Sequence, residues 1–307
     1  MSFSVLFSTF ANNILPIILL SSAGYALGKV LHVDAKSLGR VVFYIFSPVL
    51  IFDLMLKNKL DLKEATITIA FTLSIILTMG ALTYIIGRML KLERAALTAI
   101  LITTMFANTG NYGLPLVSFA FGEKALPFAG IYFVITTVLF YSLGVLIASL
   151  GHMNFKEALL GLFKVPTLYA VLLAIIINAL GVTLPTPLAR SVELAAGGTI
   201  PLMLVLLGLQ LTNVEFSNNL RPLQLSVFLR LLIAPLGALL FAVLFGLHGS
   251  ARQGVVTQAS MPSMVSSTVL ATEYHLDAKL VTAVVFISTL LSPITLTLLL
   301  VFLGRGG

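Results

Sequence analysis

The sequence predicts an all-α membrane protein of ten transmembrane helices, arranged as two inverted five-helix repeats in which helices 4 and 9 are broken. Three observations carry this prediction. The 307-residue chain is 59% hydrophobic and only 9% charged, with mean hydropathy +1.09. A soluble domain carries about 25% charged residues, so lipid is the natural solvent for most of this surface. Ten apolar runs each approach the roughly 20 residues that a membrane-spanning helix needs. Finally, the second half of the chain echoes the first at a nearly constant offset.

The spans follow in order. Span 1 (10–31) has no Lys or Arg before Lys29, so it reads as a true span rather than a cleaved signal peptide. Span 2 (36–56) carries Pro48 and Asp53, and span 3 (65–90) ends at Arg88 and Lys91. Span 4 (94–121) is interrupted, and span 5 (125–149) leads into the longest polar connection, Gly151 to Lys164. Spans 6 (163–181), 7 (186–211), 8 (221–246), 9 (251–273) and 10 (278–303) complete the set, with Pro201 and Gln210 in span 7 and Arg230 in span 8. Ala26-Leu27-Gly28 recurs as Ala179-Leu180-Gly181, Pro48 as Pro201, Ala107 as Ala259 and Thr137 as Thr289. Five is odd, so the second copy enters from the opposite side: residues 1–154 form one inverted repeat and 155–307 the other. Inverted repeats are the architecture of secondary transporters.

Charge sets the expected orientation. The connections after the odd-numbered spans and their flanks hold Lys29, Lys36, Arg40, Arg88, Lys91, Arg94, Lys156, Lys164, Arg221, Arg230 and Lys279. The opposite side holds only Lys57, Lys59, Lys63, Lys124, Arg190, Arg252 and Arg305. Basic loops stay cytoplasmic, so both termini are expected outside, in a multi-pass protein of a bacterial inner membrane. The net charge of +7 is scattered singly between apolar runs, which argues against a nucleic-acid surface. The chain lacks cysteine, which excludes disulfides and thiolate chemistry.

Span 4 reads Asn108-Thr109-Gly110-Asn111-Tyr112-Gly113-Leu114-Pro115-Leu116. Pro115 removes a donor and clashes with the preceding turn, and the glycines weaken the helix further. Span 9 reads Gln258-Ala259-Ser260-Met261-Pro262-Ser263-Met264-Val265-Ser266-Ser267-Thr268 at the equivalent place. Interrupted backbone at membrane depth is tolerated where it lines a cavity or is buried in protein. A break frees N–H groups at one new helix end and carbonyls at the other. The N–H end favours a carboxylate, while the carbonyl end favours a cation. The candidate substrate-binding residues are therefore Asn108, Thr109, Gly110, Asn111, Pro115, Ser260, Pro262, Ser263, Ser266 and Ser267. The alternative is that Pro and Ser merely tune helix packing.

The run from Asn108 to Leu116 resembles the span-4 motif of the auxin efflux carrier family. Pro262 with Ser263 to Thr268, followed by Ala271-Thr272-Glu273-Tyr274, is similar to that family's span 9. The resemblance covers the whole chain and implies a fold similar to that of bile-acid sodium symporters. It further implies a scaffold of helices 1, 2, 6 and 7, an elevator-like transport domain of helices 3–5 and 8–10, broken helices 4 and 9 that cross at the substrate site, and a homodimer through the scaffold. Its substrates are small organic anions, auxin in plants and dicarboxylates such as malonate in bacteria. The short span 5–6 connection resembles the bacterial branch.

Other polar positions divide as follows. Asp53, Gln210 and Gln258 are candidates for coupling or support. Asp53 is equally consistent with an interfacial position near Lys57, and Gln210 with a plain interhelical contact. Glu193 is expected to pair with Arg190 or water. Arg230 is expected to snorkel to the cytoplasmic interface, the alternative being that it faces a substrate path. His32, His152, His248 and His275 all fall in connections. No cofactor and no metal are expected, and a sodium ion or a proton is the candidate coupling ion. The chain offers no activated nucleophile or zinc motif, so an enzyme is not expected. The competing readings are a membrane-embedded anion sensor and a sodium-coupled organic-anion symporter of the bile-acid type.

Overall fold

The computed structural model describes residues 2–58, 61–149, 163, 165–212, 217 and 219–304. Lys59, Lys156, Lys164 and Arg305, His152 and nearly all of the Gly151 to Lys164 connection lie outside the described residues. Those that are described form helices and no strand, apart from one isolated antiparallel bridge. We number the helices α1 (Phe3–Val30), α2 (Ala35–Lys57), α3 (Leu62–Met89), α4 (Arg94–Met105), α5 (Leu114–Phe121), α6 (Leu126–Ala148), α7 (Pro166–Leu180), α8 (Thr186–Gln210), α9 (Leu220–Leu244), α10 (Gly249–Ala259), α11 (Ser266–Glu273) and α12 (Ala278–Gly304). Seven of them (α1, α2, α3, α6, α8, α9 and α12) are long and apolar enough to cross a membrane. The breaks fall where the sequence places them: α4 stops at Met105 and α10 at Ala259.

Proline explains a recurring local feature. Wide π-turns occupy Phe10–Ile14, Val42–Phe46, Thr109–Gly113 and Leu229–Ile233, each two residues before a proline: Pro16, Pro48, Pro115 and Pro235. Proline has no N–H for the carbonyl four residues back, and its ring clashes with that carbonyl. In each case that carbonyl belongs to the central residue of the π-turn. Inserting one residue into the turn opens it and relieves the clash. A fifth π-turn, Phe140–Gly144, has no such proline.

Two kinds of packing hold the helices together. α1 meets α8 through glycine, because a Cβ on Gly24 would overlap the Val205 carbonyl and one on Gly208 the Ser21 carbonyl. Small residues let membrane helices approach at backbone distance, where dispersion is largest. α7 is tied to α2 by Asn178 Nδ2 donating to the Met55 carbonyl at 2.9 Å. Elsewhere hydroxyl pairs form the seams. Thr83 and Thr104 join α3 to α4 at 2.8 Å, and Thr103 and Ser226 join α4 to α9 at 2.8 Å. Such polar contacts contribute about 0.6 kcal/mol each in membranes. Outward faces are apolar throughout, including Leu172, Leu173, Ile175 and Ile176 of α7.

Candidate functional site

The two breaks meet. Ala107 and Ser263 form the isolated antiparallel bridge. Asn108 N–H donates to the Pro262 carbonyl at 2.8 Å, and Met264 N–H to the Phe106 carbonyl at 3.0 Å. Each break thus satisfies the other's mid-segment backbone, which is how unwound chain survives amid buried residues. Ser263 strengthens the joint, its Oγ donating to the Thr103 carbonyl at 2.8 Å while its N–H donates to Ser288 Oγ at 3.2 Å.

What remains unsatisfied lies mainly at the two new N-terminal ends. Among the described residues, the N–H groups of Gly110 and Asn111 before α5, and of Val265 and Ser266 at α11, have no acceptor. Neither end has a side-chain cap. Asn108 Nδ2, Thr109 Oγ1, Gln258 Oε1 and Ser267 Oγ are buried there without a hydrogen-bond partner. A cluster of orphaned groups is uncommon, since buried polar atoms are normally paired.

The opposite ends are occupied. Arg230, on the π-turn of α9, is buried and donates through Nε to the Met261 carbonyl at 2.8 Å and through Nη1 to the Thr104 carbonyl at 2.9 Å. Its Nη2 donates to the Ala259 carbonyl. The expected snorkelling of Arg230 is therefore wrong. The π-turn ahead of Pro235 accompanies a side chain that turns into the protein, where free carbonyls of α4 and α10 replace interfacial water. Arg230 accordingly drops out of the cytoplasmic charge count.

The remaining candidates separate. Asn111 Nδ2 donates to Gln210 Oε1 at 3.1 Å, so the first break is joined directly to the end of α8. Gln258 donates through Nε2 to the Ala129 carbonyl at 3.1 Å. Ser260 back-bonds to the Val256 carbonyl at 2.7 Å, so its hydroxyl is committed to its own helix. Pro115 is buried at the start of α5, and Ser266 is half-buried at α11. Asp53 stands apart, paired with Lys57 at 3.0 Å. Glu193 is exposed to water, as one of the two expectations had it, and approaches Lys57 at 3.6 Å rather than Arg190, because α8 packs against the end of α2. His32, His248 and His275 lie between helices, as expected.

Two cavities are present among the described residues, of which one borders the first break. One of about 250 Å³, lined mainly by apolar side chains, includes Ser21, Ser22 and Tyr25 of α1, Tyr112 of the first break, Leu207 and Gly208 of α8, and Thr289 and Pro293 of α12. Ser21 Oγ is buried and unpartnered, and Ser292 Oγ donates to the Tyr112 hydroxyl at 3.3 Å. The other, about 540 Å³, is lined by Lys57, Asn58, Glu64, Lys124 and His248 among others. Sequence reasoning missed Tyr112, which sits within the first break itself, and Ser21 and Thr289, whose only signal is proximity to the breaks in the fold.

The model of a membrane transport protein family matches residues 9–300. The chain belongs to the auxin efflux carrier family of membrane transport proteins. It is 32% identical to an uncharacterized transporter of Methanothermobacter thermautotrophicus over 300 residues, covering 96% of this chain and 98% of the relative. It is 28% identical to an uncharacterized transporter of Methanocaldococcus jannaschii over 301 residues, covering 93% and 96%. The carrier is a membrane-embedded, multi-pass transporter and not an enzyme.

Proposed function

We propose that the chain is an elevator-type secondary transporter of small organic anions, such as carboxylates or auxin-like acids. The observation that carries the reading is the pair of half-helix N-termini at one crossing, each with two N–H groups lacking an acceptor. Each such end has a partial positive charge of roughly half a unit and donors preset for a carboxylate. The 250 Å³ cavity beside Tyr112, mainly apolar with a few hydroxyls, suits the hydrocarbon part of an amphipathic acid.

The domain arrangement belongs to the same proposal. In this reading ten spans form two inverted repeats, α4–α5 and α10–α11 being the broken spans 4 and 9. Their halves match closely in length: 12 and 8 residues in the first, 11 and 8 in the second. α1, α2, α7 and α8 form the scaffold, and the other helices form the moving domain. The glycine contact of α1 with α8 and the α2–α7 tie support that grouping. The scaffold pairs two copies into a homodimer in a cytoplasmic membrane, with both termini outside.

The test is uptake of radiolabelled malonate and indole-acetate into proteoliposomes, with sodium, proton or potential gradients imposed one at a time. Saturable uptake driven by one gradient supports a carrier and identifies its coupling. Asn111→Ala and Pro262→Ala should each lower uptake while the protein stays folded, and unchanged uptake in both sinks the crossing as the site. Tight anion binding with no flux of either acid would favour a sensor.

A further inference from the structure

Arg230 is 2% exposed, and among the described residues no carboxylate pairs with it, since both ion pairs there belong to Lys57. Its partners are instead three backbone carbonyls: Thr104 on α4, Ala259 at the end of α10, and Met261 just beyond it. The carbonyl ends of two helices contribute roughly −0.5 charge each, so together they hold a guanidinium in place about as well as one carboxylate would. A dipole adds no net charge, however. Each negative end is balanced by a positive end elsewhere, and the core keeps the full charge of an arginine that does not deprotonate in proteins. A buried charge without a counter-charge is unfavourable. The open N–H ends at Gly110, Asn111, Val265 and Ser266 repel any cation from the one remaining polar side of the crossing.

We propose that Arg230 is a built-in counter-ion: it holds the carbonyl ends of α4 and α10 where a dissolved coupling cation would otherwise bind, and its charge balances one negative charge on the transported acid. The inference rests on the organic-anion reading. It has two consequences. Transport needs no sodium at the carbonyl ends of α4 and α10, because Arg230 already occupies them. The site loaded with a monovalent acid carries no net charge, whereas with a divalent acid it carries one negative charge.

The test uses exchange, with equal acid on both sides of a proteoliposome and a radiolabelled trace on one. Indole-acetate serves as the monoanion and malonate as the dianion, in sodium or N-methylglucamine buffer, with about 100 mV imposed by a potassium gradient and valinomycin. A potential of that size can scale the transfer of one whole charge by up to about fiftyfold. In the wild type, indole-acetate exchange should be the same in both buffers and nearly unchanged by potential, while malonate exchange responds several-fold. Arg230→Gln, which keeps donors but loses the charge, should make indole-acetate exchange potential-sensitive. Arg230→Lys should leave it insensitive at a lower rate. A mere helix cap would not move that readout.

Wild-type exchange that requires sodium overturns the inference, as does potential-sensitive indole-acetate exchange in the wild type or potential-insensitive exchange in Arg230→Gln. If Arg230→Gln does not fold, the wild-type comparison of the two acids decides. No exchange of either acid by the wild type overturns the carrier reading itself, whereas exchange with the wrong charge pattern overturns only the role of Arg230.

Discussion

Gly113 and Gln258 face each other across the crossing closely enough to make a double-mutant cycle decisive. A Cβ on Gly113 would overlap Gln258 Oε1 and stand 2.9 Å from its Cδ and 3.1 Å from Met261 Cγ. Gln258 is fully buried and its Nε2 donates to the Ala129 carbonyl, so the amide can retreat only by breaking that bond. Overpacking of this kind costs about 1–3 kcal/mol, and an orphaned buried carbonyl about 1–3 kcal/mol more. Gly113→Ala should therefore destabilise by roughly 2–6 kcal/mol. Gln258→Ala alone should also destabilise, by leaving a cavity and the same orphaned carbonyl. In the double variant the new methyl enters space the amide vacated, so the two losses should not add. We expect a coupling of about 1–3 kcal/mol in the rescuing direction. The chain has no Trp and no Cys, so melting is best followed by circular dichroism in detergent. Strict additivity, within about 0.5 kcal/mol, would refute the proposed contact.

The remaining predictions concern other parts of the crossing and one helix end. Gln210→Glu retains an acceptor for Asn111 Nδ2 but places a negative charge beside the break, so uptake of either acid should fall at least several-fold while the melting temperature changes little. Tyr112→Phe removes the hydroxyl that accepts from Ser292; the melt should drop by about 1 kcal/mol, and affinity for a cavity ligand should change while Arg230-dependent charge behaviour does not. Asp34 caps α2 by accepting from the Ser37 hydroxyl and from the N–H groups of Lys36 and Ser37, which holds its carboxyl below the ordinary 3.8. A lowered folded-state value stabilises above the unfolded pKa and is lost as pH falls through the folded one. The melting difference between wild type and Asp34→Ala should therefore shrink below about pH 3.8.

The helices and both breaks were legible because the signals that encode them are local. Apolar runs define spans, and Pro115 and Pro262 with their glycine, asparagine and serine neighbours interrupt them. That Asn108 bonds to Pro262 across the crossing was expected in outline, since two breaks can satisfy their backbone only by meeting. Arg230 was misread because its acceptors, the Thr104, Ala259 and Met261 carbonyls, are freed by breaks in distant segments that the helix's own sequence does not reveal. The partner of Glu193 escaped because Lys57 belongs to a distant segment and is chosen by packing. Ser260 looked like a ligand, but its back-bond to Val256 is a helical habit of serine that spacing alone does not separate from site chemistry.

The crossing has a polarity that neither half has alone. A lone broken helix presents one donor end and one acceptor end, and so does not favour one sign of ligand. Here the mid-segment groups pair across the joint through Asn108 with Pro262 and Met264 with Phe106. A single guanidinium then takes acceptors from both first half-helices. Only donors are left in pairs, two N–H groups before α5 and two at α11. Of the orphaned side-chain atoms nearby, Asn108 Nδ2 and the Thr109 and Ser267 hydroxyls can donate as well, whereas Gln258 Oε1 can only accept. The anion preference proposed above would therefore follow from which backbone groups the fold has already used, and would need no basic side chain at the point of contact. Returning the three carbonyls to the site by shortening Arg230 should weaken that preference, even though no group on the anion's side has changed.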